Sequence, residues 1–128
     1  MKKHFLVLLL IIFTFSAYSQ KTLHVIRADA NSLIQKMEDN SKVVNFTLSG
    51  FTSEHQLRVT EMFMRSYRGV EECNFQLDPA TGIWHGTLKA YKYANNIYFS
   101  YLLEKAGFIN VEFDNKVIPV ENLKNSEL

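Results

Sequence analysis

Val43-Val44-Asn45-Phe46-Thr47-Leu48-Ser49-Gly50, followed at once by Phe51-Thr52-Ser53-Glu54-His55-Gln56, decides how the chain is read. The first part alternates, with Val44, Phe46 and Leu48 on one side and Asn45, Thr47 and Ser49 on the other, which is the period of a half-buried strand. Ser53 followed three residues later by Gln56 is a capping box, in which a hydroxyl and an amide satisfy the orphan N–H groups of a helix start. The spacing of Leu57, Thr60, Met64 and Tyr67, with Val59, Met62, Phe63 and Ser66 on the adjacent line, continues that helix to about Arg68, where Gly69 stops it.

Working outward toward the C-terminus, Val70 to Leu77 alternates again, with Cys73, Phe75 and Leu77 on one side. Asp78-Pro79-Ala80-Thr81-Gly82 turns the chain, and Ile83 to Tyr91 is its hairpin partner. Asn95 or Asn96 caps a second helix carrying Ile97, Phe99, Leu102, Leu103 and Ala106 up to Gly107. Phe108 to Phe113 is the last strand. The order β-α-β-β-α-β predicts an α+β, ferredoxin-like sandwich over residues 43–114: a four-stranded antiparallel sheet with two helices on one face. Asn45, Thr47, Glu72, Asn74, Gln76, His85, Thr87, Lys89, Asn110 and Glu112 are then expected on the uncovered side. Residues 115–128 read as a tail with an edge strand at Val117 to Val120, where Pro119 suits an edge, and then a frayed end.

Toward the N-terminus, residues 20–42 read as an extension, with a short strand from Thr22 to Arg27 and helical spacing of Ala30, Leu33, Ile34 and Met37. Residues 1–19 have the form of a signal peptide: Lys2, Lys3 and His4, an apolar run from Phe5 to Phe15, then Ala17 and Ser19 before a cleavage point at Gln20. The expected location is therefore periplasmic or secreted, with no membrane attachment after cleavage. Loss of Lys2 and Lys3 turns 14 basic against 13 acidic residues into a net charge of about −1. Such a surface offers no broad footprint for nucleic acid. Cys73 is the single cysteine, so no intramolecular disulfide forms.

From Val44 to Phe113 the chain resembles the heavy-metal-associated domains of copper and mercury carriers. Gly50 takes the glycine that ends the first strand, Phe51 stands for the methionine, and Ser53 and Gln56 fall on the two cysteines of the metal loop. Gly69-Val70 and Ala106-Gly107-Phe108 arrive in register. The resemblance implies the scaffold without its ligands, because a hydroxyl and an amide do not replace the paired thiolates that hold Cu(I) or Hg(II). The alternative is a carrier of a copper-type ion through non-cysteine ligands such as His55. Met62, the nearest thioether on that line, lies two turns or about 10 Å away along the helix.

No catalytic constellation is evident in the sequence. His24 and His85 have no partner at ligand spacing, and Glu71 and Glu72 face opposite ways. The chain is expected to be an exported, non-catalytic interaction module with no bound cofactor and a protein partner. In the family, partners dock on the loop that corresponds to Phe51–His55. Phe51, His55, Met62 and Phe63 are the candidate contact residues; for Phe51 the competing role is a hydrophobic staple across the helix start.

Overall fold

The computed structural model describes residues 20–126, so the expected signal peptide lies outside the described residues. Seven strands form one sheet: β1 Thr22–Ile26, β2 Gln35–Lys36, β3 Lys42–Ser49, β4 Val70–Leu77, β5 Trp84–Ala90, β6 Asn110–Phe113 and β7 Lys116–Pro119. Among the described residues, two α-helices, α1 Glu54–Ser66 and α2 Asn96–Lys105, and a 3-10 helix, Val120–Asn125, complete the α+β fold.

The strand order is β4-β5-β3-β1-β6-β7, with β2 pairing the start of β3. This corrects the expected four-stranded antiparallel sheet. β1 inserts between β3, to which it is antiparallel, and β6, to which it is parallel. Its alternation suits it to the sheet, with Leu23 and Val25 entering the core while His24 and Ile26 take the other face, and the central position pairs both of its backbone edges.

The stretch 29–40 forms turns and the two-residue β2 instead of a helix. Asp29 Oδ1 accepts the backbone N–H groups of Asn31 and Ser32 at 2.7 and 2.8 Å, and Asp39 Oδ1 accepts both the N–H and the hydroxyl of Ser41. Short acidic side chains here compete for the backbone donors a helix would use. These same bonds hold both carboxyls below the usual carboxylate range: at Asp29 the Asn31 N–H contributes most, at Asp39 the Ser41 hydroxyl. The tail adds the expected edge strand as β7, but the described residues beyond it do not fray. Beyond β7 the 3-10 helix buries Val120 and Leu123, and Ser100 of α2 donates its hydroxyl to the Val120 carbonyl at 2.7 Å.

The helix starts form as read. Ser53 Oγ accepts the Gln56 N–H at 3.2 Å, but Gln56 Oε1 reaches back to the N–H of Thr52 instead of Ser53. Asn95 caps α2 by accepting the Tyr98 N–H. The core joins Phe46, Leu48, Phe75 and Leu88 from the sheet to Leu57 and Met64 of α1 and Phe99, Leu102 and Leu103 of α2. Phe46 and Phe75 meet edge to face at 5.9 Å across β5. Gly86 lies between their strands, and a Cβ there would stand 2.1 Å from the Phe46 ring. Its missing side chain is what lets that ring lie down on the sheet.

β4 is an edge strand, and α1 closes it. Glu61, only 6% exposed, accepts the Phe75 N–H at 2.5 Å. Arg58 donates to Glu61 at 3.1 Å and to the Phe75 carbonyl at 3.0 Å, and Arg65 donates to the Cys73 carbonyl. Side chains of the helix thus occupy backbone groups that an edge otherwise offers to another chain. The helical spacing places no charged residue on the buried line of α1; Glu61 sits there because two arginines and a backbone donor surround it.

Candidate functional site

The four residues singled out in the sequence do not occupy one kind of environment. Phe51 is half-buried, edge to face with Phe108 at 5.8 Å, and Lys21 Nζ stands over its ring at 5.4 Å. It stabilises the loop that joins β3 to α1. The loop itself is fixed by Gly50, whose φ of +85° is left-handed and whose Cα faces the Gln20 carbonyl so closely that a Cβ would lie 2.1 Å from its oxygen. His55 is exposed on the first turn of α1. Met62 is 64% exposed and Phe63 37% exposed.

A groove of about 360 Å³ runs between α1 and the end of α2. His55, Val59 and Phe63 line it from α1, with Lys21, Lys105 and Ala106 opposite. His55 and Phe63 are thus brought together, Met62 projects beside them on the exposed face of the helix, and Phe51 supports Lys21 from behind. Among the described residues, two ammonium groups and no carboxylate line the groove. Lys21 and Lys105 come from the segment read as an extension and from the far helix, and nothing in local spacing linked either to His55.

Among the described residues, no group of three or more His, Cys, Asp and Glu side chains is placed to hold a metal ion. Cys73 is buried, and burial, with Glu61 nearby, pushes its thiol up to about 12. It is a packed side chain and not a thiolate ligand at neutral pH.

On the uncovered face, strand pairing lines up Gln76, His85, Thr47, His24 and Glu112 across five strands. His24 is not isolated, as its sequence neighbourhood implied. Nδ1 lies 2.9 Å from Glu112 Oε2, and Nε2 lies 2.7 Å from Ser49 Oγ. Both partners are far off in sequence, so only the insertion of β1 between β3 and β6 reveals the contact. At the opposite end of the helical layer, Tyr98 meets Tyr67 edge to face and Tyr91 at a tilt. Burial and the neighbouring Tyr91 and Tyr67 raise the Tyr98 phenol well above its ordinary value, and its hydroxyl donates to the Arg68 carbonyl. No family model matches the chain, and no curated protein matches its sequence.

Proposed function

We propose that the protein is an exported interaction module that takes an acidic, apolar-anchored segment of a partner protein in the groove between α1 and α2. The observation that carries this reading is the composition of the groove: Val59 and Phe63 supply apolar surface, Lys21 and Lys105 supply positive charge, and no acidic side chain among the described residues lines it. An acidic segment gains ion pairing on the rim and burial on the floor.

We further propose that the scaffold is a ferredoxin-like unit of the heavy-metal-associated kind, enlarged by β1, β2 and β7. The chain order β3-α1-β4-β5-α2-β6 supports it. So do the directions: with β1, β2 and β7 set aside, β4, β5, β3 and β6 are successively antiparallel, since β1 is antiparallel to β3 and parallel to β6. On this reading Ser53 and Gln56 are the helix cap at the place of the metal loop.

The test is titration of the labelled mature domain with synthetic acidic amphipathic peptides, followed by NMR. Shifts are expected to centre on His55, Val59, Phe63 and Lys105. Reversal of both lysines (K21E with K105E) should weaken binding about 10-fold, each rim pair contributing up to about 1 kcal/mol. Equal binding by the double reversal, or shifts confined to the uncovered sheet face, argues against the groove.

A further inference from the structure

Ser49, His24 and Glu112 form a hydrogen-bonded chain on the uncovered face, separate from the groove. Glu112, as a carboxylate, only accepts hydrogen bonds, so a neutral His24 paired with it carries its proton on Nδ1. Nε2 then presents its lone pair to the Ser49 hydroxyl 2.7 Å away. Hydroxyl, imidazole and carboxylate stand in the order of nucleophile, base and orienting acid. The base sits on β1, which is flanked by paired strands on both sides, so the ring is held by the interior of the sheet and not by a loop. Ser49 is the last residue of β3 and is exposed.

We infer that Ser49 is a base-activated nucleophile that takes an acyl group from an ester presented across the open face. Thr22, directly opposite Ser49, already donates its hydroxyl to the Gln20 carbonyl, so Thr47, two residues before Ser49 on the same face and directly opposite His24, supplies the hydroxyl for the developing oxyanion. In the first half-reaction Ser49 Oγ bonds to the ester carbonyl carbon while its proton passes to His24 Nε2. The bond to the alcohol oxygen then breaks, and the alcohol leaves with that proton. In the second, water adds to the acyl carbon and gives a proton to Nε2. The bond to Ser49 Oγ breaks, Ser49 recovers the proton, and the carboxylic acid departs. Glu112 holds the ring and offsets its transient positive charge; it acts on Ser49 only through His24.

The test is an alkyl fluorophosphonate probe applied to the whole chain, with the adduct mapped by mass spectrometry. Ser49 Oγ bonds to phosphorus, the P–F bond breaks, and fluoride leaves as His24 takes the hydroxyl proton. A single adduct at Ser49 is expected. It is expected to be absent in S49A, to form at least about 100-fold more slowly in H24Q, and to form at least about 10-fold more slowly in E112Q, because a positioned base contributes about 100-fold or more and acts in full only when its orienting carboxylate is present. Circular dichroism establishes that each variant is folded. The wild-type result stands without any variant: a folded chain with no adduct at Ser49 overturns the proposal. Equal rates in wild type and H24Q overturn it too, as do adducts spread over Thr52, Ser53 and other exposed hydroxyls.

Discussion

Replacing Glu61 is the sharpest way to probe how this domain protects itself. Its carboxylate takes the Phe75 N–H of the edge strand at 2.5 Å and lies 3.1 Å from Arg58 and 3.6 Å from Arg65. In E61A the Phe75 donor loses its acceptor at a site that excludes water, which costs about 1–3 kcal/mol. Arg58 and Arg65 are about half exposed and recover hydration, so the lost ion pairs add only about 1 kcal/mol together. The total is about 3 kcal/mol, within the range for breaking a buried pair from one side. For a domain of this size that lowers Tm by roughly 15–20 °C. E61Q keeps an acceptor for Phe75 but places an amide against the guanidinium groups, and about 1–2 kcal/mol is expected. Urea titration followed by circular dichroism measures both. An E61A variant within about 1 kcal/mol of wild type would refute the view that the carboxylate anchors α1 to β4. The freed edge should also raise the tendency of E61A to self-associate, which light scattering reads.

Three further outcomes follow from the packing. Burial raises the Cys73 thiol to about 12 from an ordinary 9.0, so folding holds it neutral. Its stabilising effect is complete below the unfolded value and is lost as pH rises from 9 toward 12; C73A should abolish that part of the alkaline decline in a series of denaturation curves, and equal slopes for both proteins would exclude it. G86A should cost about 1–3 kcal/mol through collision with the Phe46 ring, and F46L combined with it should cost less than the sum of the singles in a double-mutant cycle. The turn between β6 and β7 places Asp114 and Asn115 at φ 51° and 62°, so N115G should raise the urea midpoint slightly by removing left-handed strain of up to about 1 kcal/mol, while Asp114 keeps its bond to Arg27.

Local chemistry made much of the framework legible. The alternation of Val44, Phe46 and Leu48, the caps at Ser53 and Asn95, and the glycine after each helix are written within a few residues, and β3, α1, β4, β5 and α2 form where those signals stand. The segment 20–42 was harder, because Leu33, Ile34 and Met37 have helical spacing while Asp29 and Asp39 draw the backbone into turns. The ends of the core were hidden as well: Val120 and Leu123 look like a tail until Ser100 and α2 hold them.

Short-range signals therefore place β3, β4, β5, α1 and α2 and the two faces of their strands, since capping and alternation act over a few residues. Tertiary structure alone decided which strand lies between β3 and β6, and with it the groups that meet. A strand's period tells which side chains share a face but not which strands are neighbours, and pairing spans any chain separation. His24 meets Ser49 and Glu112, and His55 shares a groove with Lys21 and Lys105, because of that choice of neighbours.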